Sequence, residues 1–589
     1  SFTNNKSDNY KGKDTYAAFV DRLYFDTQGN SSRTYSSISQ SNTNNSSYSL
    51  RGQLSYSDVY REIHRFSVLA GAEIRGEKAE GIFEKRYGYD PVTGNSAMPV
   101  PKDPGNGEGF KYSDLVSYAN AMDQLSGQEI EENRFASFYG ALDYSLFDRY
   151  VLNVSFRTDG SNNFGSDEQF NPTWSAGAVW HVSEETFMEV VRPVLSRLSL
   201  RVATGYTGNI NKTVKPNLMM KYYKNFRISD DENYRMGYIN NAPNPKLRWE
   251  KTRDVKVALD FGLWKDRING IVEAYWRKSK DCVTSEYVPV TTGFFNQSYN
   301  TSVLQNNGVE FSLSVAVLKS KDYNLSVSAN VAWNQNKLKK YNSPNTSLAL
   351  DKYVGYPMGA VFSGKYEGID PETGMYKFKL RPDAVTNKDG YLREPNNYYY
   401  YLGTSVAPFT GGFNLNFSYK NIGLSVGGSY SVKAKMVDNI ESPAGYELLS
   451  GSKLESIPTP HNDLYRNHLN VKREVRNRWT PENRTGVKYP RLIDAYGKKL
   501  GLDLTNPTLT TITRGALLED ISYLRINTIA LSYSLPQRVL ERINFSSAAL
   551  NLTLNNFFTI TKYSGIDPEV PGATYPVSRS VTIGLNVGF

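Results

Sequence analysis

The sequence predicts an all-β protein, a transmembrane antiparallel β-barrel, and this prediction rests on three observations. Apolar and polar residues alternate in segments that recur along the chain, short and long connections between the segments also alternate, and the final segment, Arg579–Phe589, ends on an aromatic residue. A strand that crosses a bilayer needs about ten residues, with apolar side chains toward lipid and polar side chains toward the lumen.

The final segment shows the alternation most clearly. Val581, Ile583, Leu585, Val587 and Phe589 fall on one parity, and small or polar residues separate them. Because successive side chains of a strand point to opposite faces, one face is apolar and the other is small and polar. A terminal Phe also resembles the signal that the outer-membrane barrel-assembly machinery recognises, so Phe589 is a candidate assembly signal. A half-buried strand of a soluble sheet would alternate in the same way. The choice between the two depends on whether the pattern recurs along the chain.

The pattern recurs in order and predicts about sixteen strands, beginning near Thr15–Phe25. The charged residues on the opposite parity are costly to bury in a dry core, so this second face is expected to be wet. The apolar faces are found in the ranges 48–56, 66–74, 152–156, 174–180, 198–206, 255–263, 268–276, 309–315, 325–333, 413–419, 424–430, 529–533, 550–554 and 581–589. The charged residues of the opposite faces include Arg51, Glu73, Arg75, Arg157, Arg201, Lys256, Glu273, Arg277 and Glu310.

The connections between the segments alternate in length. Outer-membrane barrels have tight periplasmic turns and long extracellular loops, and with a periplasmic C-terminus every long connection falls outside. Segment Ser183–Arg197, between two strands, is predicted to form a short periplasmic helix. The short connections include Leu146–Arg149, Trp264–Arg267, Lys319–Asp322 and Lys420–Asn421. The predicted long loops are 76–134, 207–250, 336–407 and 432–522, and the link from Trp276 to Val309 is also long.

The composition excludes several classes of protein. The chain has 589 residues and a formal net charge of +9, but no apolar stretch approaches the roughly 18 residues of a membrane-spanning helix. The Lys and Arg residues are dispersed, which argues against nucleic-acid binding. The single Cys282 permits no internal disulfide. The four His residues have no ligand-like spacing, and no catalytic constellation is visible, so neither a metal, a cofactor nor an enzymatic activity is predicted.

A series of motifs follows a fixed order over nearly the whole chain. They are Arg157–Gly165, Trp174–Gly177, Leu198–Asn209, Asn244–Thr252, Asn307–Glu310, Tyr523–Arg525 and Asn555–Glu569. In order and spacing they resemble the SusC/RagA family of TonB-dependent outer-membrane transporters, and the number of motifs in family order makes the resemblance specific. Part of the first, Asp159–Gly165, superficially resembles a calcium loop, but Phe164 stands where such a loop needs Gly, and a turn at a strand end is favoured.

The resemblance implies a 22-stranded barrel, of which residues 1–589 would be the C-terminal portion, with the N-terminal plug domain and the first strands missing from this chain. It implies active import of oligosaccharides or oligopeptides across the cell outer membrane. It also implies a SusD-like surface lipoprotein as a lid, energy from the TonB–ExbB–ExbD complex through the missing N-terminal part, and contact with outer-membrane lipid and lipopolysaccharide. Two transporter–lipoprotein pairs could form a dimer.

Two alternatives remain open at this stage. Sixteen strands could close on themselves as a passive porin, and a secreted β-rich polysaccharide-binding protein would also show alternating strands. For an importer, the extracellular loops would bind the substrate, whether glycan or peptide. Within them, Tyr398, Tyr399, Tyr400 and Tyr401 are candidate substrate-binding residues because Tyr stacks on sugars and peptide groups. An interfacial aromatic girdle is the competing interpretation of these four residues.

Overall fold

The computed structural model describes most of the chain. The described residues are 2–11, 25–26, 37–87, 89–96, 100–101, 126–211, 214–229, 232–294, 296–341, 353–372, 374, 376–383, 398–437, 477–489, 514–542, 544–571 and 575–589. Within these ranges, no helix is long and apolar enough to cross a membrane.

Among the described residues, sixteen strands form one antiparallel sheet, in which each strand pairs with the next to give an up-and-down meander. The number of strands predicted from the alternation is therefore confirmed. The strands are β1 (Phe2–Lys11), β2 (Ser37–Tyr60), β3 (His64–Tyr87), β4 (Ser126–Leu146), β5 (Tyr150–Ser161), β6 (Phe170–His181), β7 (Leu195–Asn209), β8 (Glu250–Leu263), β9 (Ile268–Tyr287), β10 (Asn296–Lys319), β11 (Tyr323–Lys340), β12 (Phe409–Tyr419), β13 (Ile422–Val432), β14 (Tyr523–Ser534), β15 (Ser547–Thr561) and β16 (Ser580–Gly588).

Smaller elements lie in the connections. One short helix, α1 (Gln537–Arg542), joins β14 to β15. Single 3-10 turns are Val182–Glu184, Thr186–Met188, Val290–Thr292 and Arg514–Leu517. In the described part of the chain, five two-stranded antiparallel sheets pair Phe25–Asp26 with Val100–Pro101, Met219–Ser229 with Glu232–Asn241, Ala360–Gly364 with Tyr399–Thr404, Tyr366–Ile369 with Tyr376–Phe378, and Lys435–Val437 with Leu518–Asp520.

The pairing register places the predicted apolar faces on one side of the sheet. Leu259 lies opposite Leu200 in one neighbouring strand and Val272 in the other. Because directly paired residues share a face, a slip of one residue in any strand would break the pattern. The same pairing joins Leu50 with Ile74, Val154 with Leu142, Phe311 with Val331, and Leu552 with Ile583. The sheet therefore has one continuous apolar face, called the apolar belt below, and one polar face.

Aromatic residues border the apolar belt at both ends. Tyr323 and Tyr419 stack 5.5 Å apart near one border, and Trp174 and Tyr206 lie 5.9 Å apart near the other. In β11, Tyr323 and Trp333 occupy the two borders, about 33 Å apart along a strand that rises ~3.3 Å per residue. At a tilt of about 40°, this spacing spans roughly 25 Å, the height of the lipid-facing band of outer-membrane barrels.

The predicted short connections are confirmed as tight turns between paired strands. The turn from β4 to β5 has φ of 55° at Phe147 and 56° at Asp148. Two-residue hairpin turns of this kind need positive φ at both central residues, which matches the twist of the flanking strands. These turns gather at one end of the sheet, and the long connections gather at the other end.

Several predicted loop boundaries were wrong, because the strands extend further than the alternation indicated. β3 continues to Tyr87 and β4 begins at Ser126, both within the predicted loop 76–134. β9 continues to Tyr287 and β10 begins at Asn296, so the link predicted between Trp276 and Val309 is mostly strand. Above the apolar belt polar residues occur on both faces, and apolar residues such as Ile82 and Phe83 are adjacent rather than alternating, so the backbone ladder continues while the alternating signal disappears.

Two other expectations also need correction. The first strand, Phe2–Lys11, precedes the predicted start near Thr15–Phe25, most of which lies outside the described residues. The predicted periplasmic helix at Ser183–Arg197 is replaced by two 3-10 turns, and β7 already begins at Leu195. Within this segment, Glu185 is buried and accepts hydrogen bonds through its carboxylate.

Candidate functional site

Ion pairs cover the polar face of the strands from β3 to β9. Several of the charges that the sequence assigns to this face lie within reach of opposite charges on the same or a nearby strand. The paired side chains are only partly exposed, so each ion pair holds its two side chains in place. Because the two charges of a pair are opposite, the pairs add little net charge to this face. The pairs are Arg157 Nε with Asp159 Oδ1 at 2.7 Å, Arg201 Nε with Asp260 Oδ2 at 2.7 Å, Arg277 Nη2 with Asp254 Oδ2 at 2.8 Å, and Lys256 Nζ with Glu273 Oε1 at 3.2 Å.

An aromatic cleft of about 510 Å³ lies at the extracellular end of β11. Here β11 extends beyond the end of β12, and the backbone of Tyr356 accepts a hydrogen bond from the amide of Leu338 at 2.8 Å. Exposed portions of Trp333, Tyr356 and Met358 line the cleft. The side chains of Asn306 and Asn334 lie in the same wall, so the cleft combines apolar rings with amide groups.

The aromatic cleft contains only one of the four predicted tyrosines. Tyr401 lies in the cleft, with its ring centroid 4.9 Å from that of Tyr356. Tyr399 is buried. Tyr400 donates a hydrogen bond from its hydroxyl to the carbonyl oxygen of Leu380 at 2.8 Å. Because Tyr399–Thr404 is a strand, successive rings point to opposite sides, and Tyr398–Tyr401 cannot act as one binding surface.

The sequence analysis missed Tyr356, Met358 and the two Asn residues of the cleft. Tyr356 and Met358 lie in a loop without periodic pattern, and Asn306 and Asn334 occur among many polar-face amides. Burial raises the pKa of Tyr401 and of the neighbouring Tyr353. Both phenols therefore stay neutral, and can donate and accept hydrogen bonds, throughout the physiological range.

Two sequence motifs meet below the extracellular surface. The segment Asp159–Gly165 covers the last residues of β5 and the turn that follows, and it packs against Asn244–Glu250. Phe164 stacks on Trp249 with ring centroids 4.5 Å apart, and both side chains are buried. The amide of Gly165 donates to the carbonyl of Leu247 at 2.9 Å. These contacts assign a structural role to the segment that resembles a calcium loop.

Two further motifs meet in a buried ion pair. Arg525, in β14, is 1% exposed, and its Nη2 lies 2.5 Å from Oδ1 of Asp567 in the loop after β15. Asp567 also accepts hydrogen bonds from the backbone amides of Glu569 and Val577. Burial by itself raises the pKa of Asp567, but the hydrogen bonds from Arg525 and the two amides outweigh it and lower the pKa.

Glu185 organises the opposite, turn-rich end of the sheet. Its carboxylate accepts hydrogen bonds from the Tyr150 hydroxyl at 2.5 Å and the Trp180 indole at 3.1 Å, and it pairs with Arg149 at 3.3 Å. The hydrogen bonds from Tyr150 and Trp180 lower the pKa of Glu185. Within the described ranges, no cluster of three His, Cys, Asp or Glu side chains could hold a metal ion.

Comparison with known proteins identifies the family of this sheet. Residues 1–449 match the family described as "TonB dependent receptor-like, beta-barrel". The chain belongs to this family. It is 25% identical to the TonB-dependent receptor P26 of Formosa agariphila, across 96% of the chain and 55% of that receptor. It is 26% identical to the TonB-dependent receptor SusC of Bacteroides thetaiotaomicron, across 89% of the chain and 48% of SusC.

Solved structures of the RagAB peptide transporter share the fold. The RagAB peptide transporter superposes with a TM-score of 0.74 at 23% identity, across 100% of the chain and 59% of the transporter chain. The resemblance to SusC/RagA proteins noted in the sequence is thereby confirmed, as is the location of this β-barrel family member in the outer membrane. Its relatives are receptors and transporters rather than enzymes. The chain spans about half the length of the curated relatives it matches.

Proposed function

We propose that the chain forms the wall and the outer vestibule of a TonB-dependent importer of oligosaccharides or oligopeptides. The observation that carries this proposal is the two-faced sheet, which has an apolar belt of bilayer height on one face and ion-paired polar side chains on the other. The apolar belt would face lipid, and the polar face would line a lumen. The fold shared with RagAB, a peptide transporter, and the likeness to SusC support it.

The gate would come from residues other than 1–589. In the described residues, β1 and β16 stand at the two ends of the strand order and do not pair with each other. Unpaired strand edges are costly in lipid, because no water replaces the missing hydrogen bonds. We propose that about six further strands complete a 22-stranded barrel and that a plug domain fills it, so that residues 1–589 are its C-terminal portion.

The proposed partners follow from the same family membership. A SusD-like lipoprotein would close the extracellular mouth, and the TonB–ExbB–ExbD complex would act on the plug. Lipid and lipopolysaccharide would contact the apolar belt, and two transporter–lipoprotein pairs could associate. In the loops, the aromatic cleft with Tyr356 and Tyr401 is the proposed contact site for substrate, because its rings can stack while its amides bind hydroxyl or peptide groups.

Uptake measurements in cells test the proposal. Nutrient uptake should require the full-length transporter and should fall to background when TonB is deleted or the plug is removed. Deleting the neighbouring SusD-like lipoprotein should reduce uptake at low nutrient concentration. Unchanged uptake without TonB would contradict active import.

A passive porin is the alternative, because sixteen strands are enough to enclose an aqueous channel. The purified protein in planar lipid bilayers distinguishes the two. A plugged importer should remain closed, whereas an open porin should conduct ions continuously. Intact mass of the detergent-extracted protein adds an independent check, since an importer should carry plug peptides in the same polypeptide.

A further inference from the structure

The polar face of the sheet is divided into two regions of different chemistry. In β2–β10 it carries the charges and ion pairs described above, and this region is called the charged wall. In β11–β16, between the aromatic borders, Arg525 is the one charged residue among the described polar-face positions; most of the others are Asn, Ser, Thr, Gly or Ala, with Tyr523 near the extracellular border. Arg525 is 1% exposed and paired with Asp567, so it does not add charge to the surface. This second region is called the neutral wall.

The neutral wall is a hydrogen-bonding surface with room beside it. One depression of about 380 Å³, lined by Asn416 and Asn551, lies within the neutral wall. A second, of about 480 Å³, spans its boundary with the charged wall, with Asn330 and Asn414 on the neutral side and Arg197 on the charged side. The Ser425 hydroxyl donates to Asn416 Oδ1 at 2.8 Å, so the side chains form short networks across strands. Each amide and hydroxyl of such a network can both donate and accept hydrogen bonds.

The two walls would treat a moving polar solute differently. A solute that slides along the charged wall must displace water held by ionised groups, and it would be held tightly wherever it carries an opposite charge. Neutral amides and hydroxyls exchange hydrogen bonds with water at little net free energy. Passage requires binding at many sites that is strong enough for entry and weak enough for release, and the neutral wall fits that requirement.

We propose that the neutral wall is the surface along which an uncharged polar solute, such as a neutral oligosaccharide, passes when the importer opens. The charged wall then remains in contact with the plug throughout. This inference rests on the proposed import function and adds to it the side of the lumen that opens and the class of solute that it favours.

Cysteine labelling of the full-length transporter in living cells tests the inference. Asn416→Cys and Ser328→Cys place thiols on the neutral wall, and Ser155→Cys and Ala203→Cys are matched positions on the charged wall, all in a Cys282→Ser background. The probe is a short, uncharged, membrane-impermeant PEG-maleimide added outside the cells. Labelling is compared with and without TonB, and heat-dependent gel mobility confirms that each variant is folded.

The expected result is labelling of the two neutral-wall thiols that is several-fold faster with TonB than without, while the charged-wall thiols stay protected. Faster TonB-dependent labelling on the charged wall, or equal labelling on both walls, would overturn the inference. A sulfonated maleimide of similar size should label the neutral wall no faster than the uncharged probe. Nutrient uptake measured in parallel separates the proposals, because TonB-independent uptake contradicts import itself, whichever wall is labelled.

Discussion

Individual residues secure the extracellular end of the sheet by joining segments that lie far apart in sequence. Arg525 and Asp567 form one such contact, and Phe164 and Trp249 form another. Removing one member of a buried ion pair costs more than removing an exposed pair, because the remaining charge stays buried without compensation. Both contacts lie within motifs that identify the family. Part of the role of these motifs is therefore to stabilise the fold.

The Asp567→Asn substitution should destabilise the folded protein by about 1–3 kcal/mol at neutral pH. The cost stays below that of a fully uncompensated charge because Glu569 Oε2 remains 3.1 Å from Arg525 Nε. Since folding lowers the pKa of Asp567, the stabilisation that this carboxylate provides is full above its unfolded pKa and is lost as pH falls through the lower, folded pKa. The difference in the free energy of unfolding between wild type and variant should therefore become smaller at acidic pH. Denaturant unfolding in detergent across pH measures it, and a difference that is constant down to the most acidic pH would contradict this account.

Gly165→Ala should also destabilise the protein, by about 1–3 kcal/mol. A Cβ at this position would lie 1.9 Å from the carbonyl oxygen of Pro245, which is backbone and cannot rotate away. Gly52→Ala is the matched control, since a Cβ there meets nothing within 4 Å. In the same denaturant experiment, the control should have a free energy of unfolding close to that of wild type. Equal stability of the two variants would contradict the close packing of Gly165 against Pro245.

At the scale of elements, the strands are specified by two faces with different requirements. Leu415 and Asn416 are adjacent in β12 but lie on the apolar belt and the neutral wall, respectively. The register fixes this difference, because neighbours in a strand point to opposite sides. The tight turns also depend on neighbouring residues. In the turn between β4 and β5, Phe147 and Asp148 have positive φ, which reverses the direction of the chain.

Leu415→Arg should reduce the stability of the inserted protein by about 2–4 kcal/mol, because an arginine would face hydrocarbon. Asn416→Arg should be tolerated, since its side chain enters a wet lumen. The folded fraction in the outer membrane, read from heat-dependent gel mobility, measures both effects. Equal losses for the two variants would mean that both faces are dry, contrary to the structure.

For the molecule as a whole, delivery to the membrane and transport are separate requirements. Phe589 is 91% exposed, and its ring lies 5.1 Å from that of Phe545 in an edge-to-face arrangement. One local contact contributes little to a sheet of this size. The predicted role of Phe589 is therefore recognition during assembly rather than packing.

Deleting Phe589 should lower the amount of protein in the outer membrane while leaving uptake per inserted molecule unchanged. Phe545→Ala removes the same ring contact but keeps the terminal aromatic residue, so its level should stay near that of wild type. Quantitative immunoblots of outer-membrane fractions, together with uptake assays, measure both quantities. Normal outer-membrane levels of the truncated protein would show that assembly does not require Phe589.

The sequence by itself determined the strands, their two faces and the tight turns, because a two-residue period and a turn both depend on neighbouring residues. Only the tertiary structure decided how far β3, β4, β9 and β10 extend beyond the apolar belt, since that extension rests on pairing between strands. It also decided that Tyr399 is buried while Tyr401 lines a cleft. The pairing of Arg525 with Asp567 was likewise decided by the tertiary structure. A local sequence pattern does not indicate which distant segments will come into contact.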